Sequence, residues 1–146
     1  MQSTTIAKTL IAIAMTLAVG IVPKVQAEDK VCSNSTLNGT YGFSATGTLV
    51  PPQPFPGLLA IVGTSTFDGN GVTSGSQMVS SNGNILPQET LSGTYQVNPD
   101  CTGTFSLQLF PGVTINFFFV IDDHGKELQI IQTDPGTIVT ATARKQ

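Results

Sequence analysis

Few side chains in this sequence could do chemistry: Glu89, His124, the tyrosines Tyr41 and Tyr95, and the cysteines Cys32 and Cys101. Glu89 draws attention first. In the run Leu86-Pro87-Gln88-Glu89-Thr90-Leu91, strand alternation puts it on the face of Leu91, Tyr95 and Val97, which should point inward. A carboxylate there could act as a general base or anchor a ligand, with Tyr41 or Tyr95 as hydroxyl partner. The blander expectation, which we favour, is that Pro87 leaves Glu89 in water at the strand's mouth, as most glutamates are exposed. The tyrosines would then be core residues with satisfied hydroxyls. His124 is the only histidine, so any Ser-His-Asp arrangement would have to use it. It stands in Asp122-Asp123-His124-Gly125, which reads as a solvated turn.

Metal chemistry finds little support. Asp68-Gly69-Asn70-Gly71 begins like a calcium loop, but the twelfth position is Val79 where a bidentate acid is needed. It reads as a hairpin turn. Two cysteines and one histidine are too few for a zinc site. No metal and no cofactor is expected.

The elements that would position these residues are strands. Val113, Ile115, Phe117, Phe119 and Ile121 alternate along the most apolar stretch after the first thirty residues, and that face must be buried. Turn chemistry at Asp68–Gly71, Ser81–Asn84, Asn98–Asp100, Pro111-Gly112, Asp123–Gly125 and Asp134–Gly136 separates eight strands. These are expected at 38–50, 58–67, 72–80, 85–97, 104–110, 113–122, 126–133 and 137–143. Residues 51–57, Pro-Pro-Gln-Pro-Phe-Pro-Gly, form the one long loop. Short connections predict an all-β antiparallel meander. Eight such strands close into an up-and-down barrel, which removes exposed edges, with a two-sheet sandwich as the alternative. Tyr41, Phe43, Glu89, Tyr95, Phe117 and Phe119 would then face the lumen as candidate ligand contacts. Phe118, Val120 and Ile131 would face out, where three grouped apolar residues suggest a homodimer or partner contact, the alternatives being an exposed patch or a covering by the proline-rich loop.

The first 27 residues read as a secretory signal: Lys8, an apolar run from Thr9 to Val22, and a small-residue site at Val25-Gln26-Ala27. The run is too short, and Pro23 and Lys24 end it too soon, for a membrane span. Residues 28–146 are then one domain, secreted or periplasmic. Four basic residues remain in it (Lys30, Lys126, Arg144, Lys145) against nine acidic ones, a net charge of −5 that argues against nucleic acid. In an exported protein Cys32 and Cys101 are most simply a disulfide, the alternative being free thiols or a metal pair.

Residues 32–43 (Cys-Ser-Asn-Ser-Thr-Leu-Asn-Gly-Thr-Tyr-Gly-Phe), 66–71, 93–104 and 131–136 together resemble a group of small secreted bacterial proteins of unknown function. That resemblance implies bacterial export, the disulfide and an all-β fold, and nothing catalytic. The eight-strand outline is also similar to allene oxide cyclase, dirigent and lipocalin barrels, at the level of fold alone. Three functions follow. One is a non-enzymatic barrel that binds a small apolar molecule or a partner surface. Another is a cyclase- or isomerase-like barrel using Glu89. The third is an envelope or extracellular structural module acting through its outer face. A lumen packed solid would remove both ligand readings, and a cavity with Glu89 on its wall would favour the enzyme.

Overall fold

The computed structural model describes residues 31–146, so the signal and cleavage site expected at 1–27 lie outside the described residues. The strands are Asn38–Leu49 (β1), Gly57–Asp68 (β2), Val72–Ser81 (β3), Asn84–Ile85 (β4), Glu89–Val97 (β5), Thr102–Phe110 (β6), Val113–Asp122 (β7), Glu127–Gln132 (β8) and Thr137–Lys145 (β9). Each long strand pairs antiparallel with the long strand before it, and β9 returns to β1 from Tyr41↔Lys145 to Leu49↔Thr137. Eight strands therefore close into an up-and-down barrel, and the sandwich alternative is not adopted.

One expected strand is corrected. Residues 85–97 do not run as a single element: Asn84–Ile85 folds back on the end of β3, pairing Ser80↔Ile85 and Ser81↔Asn84. Leu86-Pro87-Gln88 then lies outside any strand, and β5 begins only at Glu89. Pro87 is the physical reason, since it has no N–H to give to a ladder. The result is a ninth, two-residue strand at the rim.

The turns are held by carboxylates. Asp68 Oδ1 accepts from the backbone N–H groups of Asn70, Gly71 and Val72 at 2.8–3.0 Å, which makes the expected hairpin turn an Asx-type cap. Backbone donation, from Val72 first and then Asn70, holds that carboxyl below its ordinary range. Asp100 holds the β5–β6 turn likewise, accepting from the Thr102 hydroxyl at 2.7 Å and its N–H at 3.1 Å.

The barrel has a closed end and an open end. At the closed end the amino-terminal arm folds under the strands, with a 3-10 turn at Asn34–Thr36 and the fully buried Leu37 as a plug. Cys32 and Cys101 form the disulfide, which ties the arm to the β5–β6 turn, and Cys32 N–H donates to the Pro99 carbonyl at 3.1 Å. Asn34 Oδ1 accepts from the Val97 N–H at 2.8 Å. Above the plug, Phe67 meets Tyr41 and Tyr95 edge-on, with centroids 5.3 and 5.1 Å away.

The face of β7 expected to be buried is buried in a gradient. Ile121 and Phe119 are inside, Phe117 and Ile115 are half-buried, and Val113 is 43% exposed. The strand runs from the mouth at Val113 to the packed end at Ile121, so position along it decides burial as much as alternation does.

Candidate functional site

The upper half of the barrel is hollow. A cavity of about 450 Å³ lies between the aromatic floor and the mouth, within the roughly 300–1,000 Å³ range of small-molecule sites. Its floor is aromatic: Phe105 stacks on Phe117 with centroids 4.5 Å apart and reaches Phe119 at 5.8 Å. Its walls are the inward residues of the strands, among them Phe43 and Ala45 from β1, Ile61 from β2, Val79 from β3, Leu91 from β5, Leu107 from β6, Ile115 from β7 and Ala141 from β9. Small inward side chains leave the space. At Gly63 a Cβ would lie 2.8 Å from the Phe43 ring, so this glycine lets the phenyl group fold flat across the lumen wall.

The rim is built by loops. The proline-rich segment contributes Gln53, Pro54 and Phe55, and its course is fixed by Val50 N–H donating to the Gly136 carbonyl at 2.8 Å and Gln53 Nε2 to the Pro135 carbonyl at 2.7 Å. A register shift between Gln108 and Phe110 breaks the β6–β7 ladder, and Phe110 lines the mouth with Val113.

Polar groups on this wall are few. Among the described residues Glu89 is the one charged group in the lining. It faces Gln77 directly in the β3–β5 register, and Gln77 Nε2 donates to Glu89 Oε2 at 2.7 Å. Glu89 is half-buried and Gln77 is 7% exposed. Glu89 stands at the strand's mouth, as the favoured expectation has it, but half-buried rather than in open water: β5 starts after Pro87, and its first residue lines the lumen and bonds to Gln77. Ser65, also on the wall, shares a 2.8 Å hydrogen bond with the buried Thr73 hydroxyl. Among the described residues no lysine, arginine or histidine lines the cavity. Arg144 is engaged outside, its Nε 2.9 Å from Glu127 Oε2.

The candidate residues separate into two groups. Phe43, Glu89 and Phe117 stand on the cavity wall. Tyr41, Tyr95 and Phe119 stand in the packed lower half, outside the lining. Tyr95 Oη donates to the carbonyls of Leu37 at 3.0 Å and Asn34 at 3.1 Å, and Tyr41 Oη donates to that of Gly125. Burial raises both phenols above their ordinary value, with Tyr95 a further cause at Tyr41, so they remain donors. His124 is exposed in the turn after β7 at positive φ, 3.6 Å from the Asp123 carboxylate, and is not among the lining residues. Among the described residues no three His, Cys, Asp or Glu side chains gather as a metal site. Phe118, Val120 and Ile131 point outward and are 37%, 38% and 48% exposed, with Phe118 opposite Ile131 across β7 and β8.

Gln77, the partner of Glu89, was not singled out from the sequence. Alternation from Val79 back through Gln77 and Gly75 to Thr73 places it inward, and a long polar side chain on the face of Val79 is the signal that identifies it.

Among the described residues no helix is long and apolar enough to cross a membrane. No protein-family model and no curated protein matches the chain. Among solved structures, a redesigned β-barrel is similar at 16% identity, covering 77% of this chain and 94% of that one, with a TM-score of 0.49.

Proposed function

We propose that the protein is an exported, non-enzymatic barrel that holds one small apolar molecule in the upper half of its lumen. The observation that carries this reading is the 450 Å³ apolar cup, floored by Phe105 and Phe117 and open at the loop end. Filling it with a ligand removes apolar surface from water on both sides, which is the main source of affinity in such sites. Export to an oxidising compartment, periplasm or medium, agrees with the Cys32–Cys101 disulfide and with the secreted bacterial proteins that the sequence resembles.

The test uses N-phenyl-1-naphthylamine, a neutral apolar dye whose emission rises on leaving water. The dye is excited at wavelengths longer than tyrosine or tryptophan absorbs, so emission from the protein does not interfere in the native chain or in the variant. One dye per barrel should bind. Ile61→Trp, which places an indole in the cavity, should weaken that binding at least tenfold while the far-ultraviolet spectrum stays that of the native barrel. Equal binding by Ile61→Trp would place the dye elsewhere and sink the reading.

Glu89 on the wall favours a second reading, a cyclase- or isomerase-like activity in which its carboxylate moves a proton. The tyrosines proposed to assist it donate to backbone carbonyls in the lower half instead, leaving Glu89 with an amide neighbour that cannot supply a proton at neutral pH. Binding is therefore the reading preferred. Native mass spectrometry of Glu89→Gln purified from its own exporting cells separates the two: a trapped molecule absent from the native protein would favour the enzyme.

A further inference from the structure

The lumen is apolar on nearly every side, yet at one point it carries a negative charge with no positive charge facing it. Among the described residues Glu89 is the one charged group on the wall, and the cations stand elsewhere. This carboxylate is not left to move. Gln77, buried to 93% and opposite it in the sheet, donates to Oε2 at 2.7 Å, a charge-assisted bond that holds one oxygen of the group against the wall. Among the described residues Oε1 accepts no hydrogen bond. A fixed carboxylate with a spare acceptor oxygen, set in an apolar cup, matches a ligand that brings a donor.

Resting on the cavity reading above, we propose that the site selects apolar molecules whose polar end is a hydrogen-bond donor, a hydroxyl or a protonated amine, with that end held by Glu89 Oε1. It discriminates against fatty acids of the same length. A carboxylate ligand would put two like charges in one poorly hydrated cup with no cation to offset them, and one of the pair would have to take up a proton or stay outside. An alkyl chain without a head gains the apolar contacts but leaves Oε1 desolvated and unpaired. The specificity is therefore set by one acceptor and the amide that orients it.

Competition against bound N-phenyl-1-naphthylamine at pH 7.5 tests this with three ten-carbon probes, 1-decanol, decylamine and decanoate. Decanol and decylamine should displace the dye at concentrations at least tenfold below decanoate. Both leading together identifies hydrogen-bond donation as the selected property, and decylamine leading alone identifies charge; either supports a donor head at Glu89. In Glu89→Gln, whose amide keeps the shape of the group, the dye's own N–H loses the same acceptor, so competition is referred to the dye affinity measured for the variant; the preference over decanoate should shrink to within about threefold. Decanoate displacing as well as the others in the native protein overturns the proposal, as does an undiminished preference in Glu89→Gln. Should Glu89→Gln not fold, the ranking in the native protein decides alone. Failure of the dye to bind at all would instead remove the cavity reading itself, so the two failures are distinct.

Discussion

Tyr95 shows what a single side chain does at the closed end. Its hydroxyl donates to two carbonyls of the arm, at Asn34 and Leu37, and its ring packs edge-on against Phe67. Tyr95→Phe keeps the ring and removes the donor, so those carbonyls lose a buried partner at a cost of about 1–2 kcal/mol. Urea denaturation should show this as a lower midpoint with an unchanged slope. Burial raises the phenol's pKa in the folded barrel, so the stability it contributes is complete below the unfolded value, about 10, and is lost as pH rises through the folded value. The alkaline unfolding limb should be shallower in Tyr95→Phe. Alternation made the inward direction of Tyr41 and Tyr95 legible in the sequence. Their depth was not, because it depends on Leu37 and the arm filling one end, a contact that no local pattern announces.

Asp134 belongs to the scale of elements, since it couples the β8–β9 turn to β7. Its Oδ2 accepts from the Asn116 N–H at 2.9 Å and the Gln132 amide at 3.0 Å, and its Oδ1 from the Asn116 amide at 2.8 Å. Partial burial pushes its carboxyl up, but these donors outweigh it and hold the group below the ordinary carboxylate range. A depressed acid contributes stability that is present above its unfolded pKa, near 4, and is lost as pH falls through its folded value. Asp134→Asn should cost at least about 1 kcal/mol at pH 7, because all three bonds lose their charge assistance and the new amide NH2 faces a donor, and much less at pH 2, where Asp134 is itself protonated. Thermal midpoints across pH 2 to 7 would show two curves converging on the acid side. The turn itself was legible from Asp-Pro-Gly. Its grip on Asn116 was not, because that residue is 18 positions away in sequence.

For the whole molecule, the meander was legible because each turn signal joins strands that become neighbours, so local chemistry decides almost all of the topology. The split of residues 85–97 around Pro87 was the exception, and the proline was the evidence for it. The hollow could not be read in this way. Lumen volume depends on how side chains from eight strands add up across the interior, and it took Gln77 opposite Glu89 to give that space a polarity. The disulfide is also a whole-molecule device, since it fastens the plug below the core. Replacing Cys32 and Cys101 together by serine should lower stability by about 4 kcal/mol, as expected for a loop spanning 69 residues. Guanidinium unfolding measures the loss, and a change under 1 kcal/mol would show that the arm is held by its hydrogen bonds alone.

The seam between β1 and β9 has a kinetic meaning. Seven of the barrel's eight ladders join strands close in sequence, whereas this one brings Tyr41 beside Lys145, about 100 residues apart. Such a non-local pairing slows folding, because the chain's freedom is given up before any contact repays it. The bond from Cys32 to Cys101 offers a covalent shortcut from β1 to the second half of the chain, and the loop to be closed becomes about half as long. Halving a loop saves about 0.6 kcal/mol of closure entropy. The oxidised chain should therefore zip its last seam a few-fold faster than the reduced one, so the same bond that anchors the plug also hastens the moment at which the barrel loses its edges.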